Sequence, residues 1–184
     1  YVSNIKEKEN VPGADIITVK ETATTALLDL NWNFGQIGAR TATEMAIDKA
    51  MTQGLGSVAL HRTQHVGCLT LYTEAVAKAG LVGLAACSGA SPSGHWVAPS
   101  GGREGRIGTN PISMGAPTSG RPILFDAATS TVSEGKVRLT RENGEKLPDT
   151  WLVDSNGRST NDPKALYATP GGAILPVGGS LAYK

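Results

Sequence analysis

Three histidines are the side chains of this sequence best suited to proton transfer at neutral pH. His65 follows an apolar run at residues 57–60 and precedes an amphipathic run that carries Leu69 and Tyr72. This pattern predicts that His65 stands after a strand, at the start of a helix. Free backbone N–H groups and the helix dipole disfavour imidazolium there, so we expect a neutral imidazole that can exchange a proton with an alcohol. A capping or packing histidine is the alternative interpretation.

The remaining histidines and acidic residues form no recognisable metal motif. His61 stands four residues before His65, but the predicted break between strand and helix removes the i, i+4 geometry of helical zinc sites. His95 is interpreted as a polar loop residue beside Trp96. Residues 154–157 resemble the opening of a calcium loop, but the glutamate that closes such loops is absent, so a plain turn is predicted. We therefore predict no metal.

Asp126 is the carboxylate whose position most favours ligand binding. It follows the apolar run at residues 123–125 and precedes Ala127 and Ala128. A carboxylate and small residues then lie at the carboxyl end of a strand, where open α/β sheets commonly bind ligands. A helix N-cap or a turn aspartate is the alternative.

Alternating strands and helices must position these residues. Apolar and β-branched runs predict strands at 16–19, 26–30, 57–60, 81–87, 112–116 and 123–125. Helical spacing predicts helices from about Asn33 to Gly54, from His65 to Gly80 and over 132–141. Asn33 with Gln36 predicts a capping box, and Trp32 with Ile37 a hydrophobic staple. The alternation favours an α/β layered core.

Residues 88–108 are rich in Gly, Ser and Pro and predict a long loop. Loops of this length inside a compact domain are uncommon, so this one is either a binding loop or a wrong assignment. Neither GxGxxG nor GxxxxGK[ST] occurs, which excludes a standard Rossmann dinucleotide loop and a P-loop.

Composition excludes several partners. Seventeen Lys and Arg against sixteen Asp and Glu give a formal charge of +1, and no basic run indicates nucleic acid binding. The apolar runs are shorter than the roughly 20 residues that span a bilayer, so no membrane segment is predicted. Cys68 and Cys87 are predicted to be small buried hydrophobes in a reduced, cytoplasmic protein. The start at Tyr1, without Met, and the stop at Lys184 predict a piece cut at both ends.

Several short strings occur in a family-specific order along nearly the whole chain. They are QHVG at 64–67, KAGLVG at 78–83, VAPSGGRE at 97–104, GTNP at 108–111, FDAATS at 125–130, EGKV at 134–137 and LPDTW at 147–151. Together they resemble the malate/L-lactate dehydrogenase family of type 2, which includes ureidoglycolate and sulfolactate dehydrogenases and differs from the Rossmann lactate and malate dehydrogenases.

The resemblance implies a non-Rossmann α/β fold, a mixed β-sheet layered with helices, of the sulfolactate dehydrogenase type. It implies hydride transfer between NAD or NADP and a small 2-hydroxy or 2-oxo acid such as malate or lactate. It also implies a homodimer. Residues 1–184 are then expected to be the central part of the dehydrogenase, with the cofactor-binding and catalytic core but without the N-terminal helical part and the C-terminal part. A noncatalytic fragment that retains only the scaffold and part of the nucleotide-binding surface is the alternative.

The resemblance also assigns roles to individual residues. His65 matches the histidine of proton transfer. Asp126, Ala127 and Ala128 match a turn that contacts the cofactor. Lys184 matches the lysine of a cofactor motif, and Ser88 matches a serine that contacts the cofactor.

Overall fold

The computed structural model describes residues 2–7, 9–89, 94–148 and 150–179. The chain divides into two compact units. The first unit contains Tyr1–Ala85 and Ser113–Asp126, and the second contains Ala86–Ile112 and Ala127–Lys184. A short helix, α1 (Val2–Lys6), precedes the strands of the first unit. The mixed α/β architecture predicted from the sequence is confirmed.

The first sheet of the first unit has the order β1-β2-β3 and packs on a long helix. Its strands are β1 (Ile17–Glu21), β2 (Thr25–Asp29) and β3 (Ser57–His61). The first two strands pair antiparallel, while β2 and β3 pair parallel because α2 (Gly35–Gln53) connects them. Leu28 and Leu30 are buried against Ala42 of α2, as the period of two along β2 requires.

The start of α2 differs from the predicted capping box. The N-cap residue is Phe34 rather than Asn33, and it makes no side-chain cap. The Asn33 amide instead donates to Ala14 O and accepts from Phe34 N, so it fixes the preceding loop. Trp32 and Ile37, the predicted staple, are both exposed. The end of the helix at Gly54 is as predicted, with Gly54 at φ +81° donating its N–H to Ala50 O.

A second sheet has the order β4-β5-β6 and packs on α3 (Thr70–Lys78). Its strands are β4 (Gly83–Ala86), β5 (Ile112–Ala116) and β6 (Ile123–Ala127). Ser113 and Gly115 face α3, because Ser113 Oγ lies 2.7 Å from Thr73 Oγ1 and a Cβ on Gly115 would meet Thr73 O. Alternate residues of the strands point to the opposite face of this sheet. The apolar side chains on that face are exposed and include Leu84, Met114, Ile123 and Phe125.

The buried pair between Thr73 and Ser113 predicts a measurable cost for Ser113→Ala. The Thr73 hydroxyl would lose its short partner and keep only the contacts with Leu69 O at 3.5 Å and Thr70 O at 3.4 Å. We expect the free energy of unfolding of the full-length protein to fall by about 1 kcal/mol, measured from urea denaturation. Ser57→Ala, at an exposed position of β3, is the control. Equal effects of the two substitutions would contradict the assignment.

The second unit has its own apolar core, formed by Val97, Val132, Val137, Leu147, Leu152, Leu166 and Ile174. Around it lie α4 (Glu134–Glu142), β7 (Leu152–Val153), β8 (Ser159–Thr160), β9 (Ala173–Ile174) and a 3₁₀ helix (Pro163–Tyr167). The three strands have the order β8-β7-β9. Ser133 caps α4 by accepting from Lys136 N.

The long loop predicted at residues 88–108 is partly wrong. Val97 bridges to both Ile107 and Ile174, and Val97 and Ala98 are fully buried in the second unit. A short apolar segment among Gly, Ser and Pro therefore belongs to the core. None of the helices in the described part of the chain combines the length and the apolar composition that a bilayer span requires.

Candidate active site

His65 is exposed in the segment that joins β3 to α3. Because α3 begins at Thr70, the prediction that His65 stands at the start of a helix is wrong. The argument from the helix dipole therefore does not apply to this histidine, since the dipole acts mainly within the first turn. A different contact holds its ring.

That contact is a hydrogen bond from Gly67 N to His65 Nδ1, at 3.2 Å. Nδ1 must carry no hydrogen to accept this bond, so the geometry fits the imidazole tautomer with its hydrogen on Nε2. Gly67 has φ +80°, a conformation that favours glycine. The neutral ring predicted from the sequence stays a prediction, and the Gly67 amide is the backbone group that the structure places at Nδ1.

The backbone of the His65 segment rests directly on the first residue of α2. A Cβ on Gly35 would lie 2.2 Å from Gln64 O and 2.7 Å from His65 O. Two side-chain hydrogen bonds hold the same segment. Gln64 Nε2 donates to Glu9 O at 2.8 Å, and Tyr72 Oη donates to Val66 O. Hydrogen bonds therefore hold the residue before His65 and the residue after it.

Asp126 accepts three hydrogen bonds from the residues that follow His65. Its Oδ2 accepts from Thr70 N at 2.8 Å, from Thr70 Oγ1 at 2.7 Å and from Cys68 Sγ at 3.3 Å. Partial burial by itself raises the pKa of the Asp126 carboxyl, but the bonds from Thr70 and Cys68 outweigh it and lower the pKa. Cys68 is exposed and Cys87 is half-buried, so the prediction that both cysteines are buried is wrong.

The carboxyl ends of β2 and β3 carry a cluster that the sequence analysis did not identify. Asn31, Trp32 and Arg62 all have positive φ, which is uncommon outside glycine. Arg62 Nε donates to Asp29 Oδ1 at 2.9 Å, and its Nη2 donates to Asn31 Oδ1. The bond from Asn31 N, followed by Arg62, keeps the pKa of Asp29 low despite slight desolvation. Strained residues of this kind concentrate at functional sites.

In the second unit, the segments of Ser88 and of Ala127 and Ala128 lie on either side of residues 108–111. Gly89 N donates to Asn110 Oδ1 at 3.3 Å, and Thr129 donates through N to Thr109 O at 2.9 Å and through Oγ1 to Asn110 O at 2.8 Å. Ser88 and Ala127 are exposed. The structure thus brings these predicted cofactor residues to one place.

The same region fits a nucleotide because its exposed residues are small, which allows a ligand to approach the backbone closely. Ser88, Ala127 and Ala128 could therefore contact a bound nicotinamide cofactor. Lys184 lies outside the described residues.

No set of three His, Cys, Asp or Glu side chains in the described part of the chain is arranged to hold a metal ion. Asp154 forms a turn, as predicted, with Oδ1 accepting from Asn156 N at 2.8 Å and from Arg158 N at 2.9 Å.

Comparison with known proteins supplies the family. A family model described as malate/L-lactate dehydrogenase matches residues 1–184. The chain belongs to this family. The match confirms the resemblance drawn from the ordered strings.

Individual proteins that are similar to this chain are also named as dehydrogenases. A malate dehydrogenase of Pyrococcus abyssi is 38% identical over 161 residues, 88% of this chain and 43% of the relative. A ureidoglycolate dehydrogenase (NAD(+)) of Escherichia coli K12 is 37% identical over 160 residues, 86% and 43% of the two chains. The crystal structure of malate dehydrogenase from Entamoeba histolytica has a TM-score of 0.89 at 31% identity and covers 98% of this chain and 50% of that one. The chain spans about half the length of these relatives.

Proposed function

We propose that the full-length protein transfers a hydride between NAD or NADP and C2 of a small 2-hydroxy or 2-oxo acid, such as malate or lactate. Family membership over residues 1–184 is the observation that carries this proposal. Relatives named malate dehydrogenase and ureidoglycolate dehydrogenase (NAD(+)) support the class of substrate and a nicotinamide cofactor.

His65 is the proposed proton-transfer group. In the conformation held by Gly67, Nε2 carries the hydrogen and offers a hydrogen-bond donor to a substrate oxygen. Such a donor stabilises the negative charge that develops on that oxygen during reduction of a 2-oxo acid. Complete proton transfer at Nε2, in either direction, requires a hydrogen on Nδ1, so the ring has to leave the Gly67 amide during turnover.

The cofactor supplies or accepts the hydride when it is bound. Its proposed contacts are Ser88, the turn at Asp126, Ala127 and Ala128, and Lys184. The exposed, small residues at 88 and 127 support the first two of these assignments. A cytoplasmic homodimer completes the proposal. The free thiols of Cys68 and Cys87 favour a reducing compartment, and the homodimer rests on the family resemblance.

A screen of the purified full-length protein tests the proposal. We expect oxidation of NADH or NADPH, followed by absorbance, with at least one acid from a panel of 2-oxo acids that includes oxaloacetate and pyruvate. The reverse reaction with the matching 2-hydroxy acid should reduce the oxidised cofactor. A folded protein that turns over no member of the panel in either direction would contradict the proposed function.

A further inference from the structure

Helix α3 begins without a capping side chain of its own. Its N-cap residue is Leu69, whose side chain accepts no hydrogen bond. The first N–H groups of a helix have no partner inside the helix and need acceptors from elsewhere. The acceptor for Thr70 N is the carboxylate of Asp126, from β6.

Asp126 therefore caps α3 from a distant part of the chain. Its Oδ2 binds the backbone N–H and the hydroxyl of Thr70, both within 2.8 Å, and also the thiol of Cys68. A negative charge at this end of a helix is favourable because the helix dipole is positive there. The carboxylate thus fixes the beginning of α3 and the residue two positions before it.

The residues held by Asp126 lie next to Gly67, whose backbone N–H holds the His65 ring. Cys68 directly follows Gly67, whose N–H binds His65 Nδ1 at 3.2 Å. A displacement of Cys68 moves the Gly67 peptide, because the two residues share a bond. The contacts thus run from Asp126 through Cys68 and Gly67 to the imidazole.

We propose that Asp126 is a positioning residue for His65: by capping α3 and holding Cys68, it keeps the Gly67 amide on Nδ1 and the imidazole hydrogen on Nε2. The proposal rests on the proposed function of His65 for its effect on catalysis, but its effect on the ring does not depend on turnover. In this proposal the Asp126 carboxylate positions His65, a role that is separate from the predicted contact between the turn at Asp126 and the cofactor.

Asp126→Asn in the full-length protein tests the charge while keeping the size of the side chain. We expect kcat for reduction of the 2-oxo acid to fall about 10-fold to 100-fold, with a smaller change in KM, because the Nε2–H donor then no longer meets the negative charge that develops on the substrate oxygen. The matched control is Asp154→Asn, at another aspartate that accepts two backbone N–H bonds. It should leave kcat unchanged.

A second readout separates positioning from general loss of structure. In 15N-labelled protein, the chemical shifts of the His65 ring nitrogens report which of them carries the hydrogen. Asp126→Asn and Thr70→Val should both move the ring away from the Nε2–H tautomer, and Thr70→Ser, which keeps the hydroxyl, should move it less. Circular dichroism establishes that each variant is folded.

The outcomes decide between the two proposals. If folded Asp126→Asn and Thr70→Val proteins keep the wild-type tautomer and kcat, the positioning role is overturned. If the wild-type protein has no dehydrogenase activity, the proposed function fails, while the tautomer measurement still tests the coupling between Asp126 and His65. An altered tautomer in both variants, with the Asp154→Asn protein unaffected, supports the positioning role.

Discussion

If the proposed function holds, substitution of His65 by Ala is expected to lower kcat/KM of the full-length protein by about 100-fold to 10,000-fold, the usual contribution of a proton-transfer side chain. His65→Gln is the informative companion. A glutamine amide can donate a hydrogen bond to a substrate oxygen, as Nε2–H does, but it cannot exchange a proton at neutral pH. If His65 transfers the proton, the two variants lose similar activity; if it only donates a hydrogen bond, the Gln variant retains much more. Steady-state kinetics in both directions provides the measurement.

His61→Gln is the matched control for this comparison. His61 is also exposed and lies at the end of β3, four residues away in the sequence. The same chemical change there should leave kcat/KM within about twofold, because surface substitutions away from a site rarely perturb it. Near-normal turnover of both His65 variants would remove His65 from the mechanism.

Local sequence pattern was sufficient to predict most elements of the fold. Strand β5 has the bounds predicted from its run of mainly apolar residues, and α2 ends at Gly54 because glycine readily adopts the left-handed conformation found there. Both features depend on residues close together in the chain. The start of α2 was predicted less well, because the Asn33 side chain binds Ala14 O, a partner that the capping pattern does not encode.

Local sequence pattern predicted the contacts of the candidate site less well than it predicted the elements of the fold. The ordered family strings singled out His65 and Asp126 as site residues, but nothing in the sequence indicated that the Asp126 carboxylate binds Thr70. Those two residues are 56 positions apart, and their contact depends on how β6 packs beside α3. Likewise, the bond from Gly67 N to His65 Nδ1 depends on the backbone conformation at Gly67, which the sequence pattern did not indicate.

Gly35→Ala should be among the most damaging small substitutions in the chain. The new Cβ would lie 2.2 Å from Gln64 O and 2.7 Å from His65 O. Both contacts are with backbone atoms, which cannot rotate away as a side chain can, so either α2 or the His65 segment must shift. Overpacking typically costs 1–3 kcal/mol, and we expect about 3 kcal/mol at this position, measured by urea denaturation of the full-length protein.

The same substitution should also affect catalysis, because the carbonyl groups that must move belong to His65 and its neighbour. We expect kcat to fall by about 100-fold in the protein that remains folded, since displacement of a reacting group by about 1 Å costs that much. Gly135→Ala is the matched control: Gly135 lies in the first turn of α4, is exposed, and has open space around its Cβ position. There the higher helix propensity of alanine should leave stability unchanged or raise it by up to about 1 kcal/mol. Similar losses of stability and kcat at both glycines would mean that general helix effects, rather than contact with the His65 segment, determine the result.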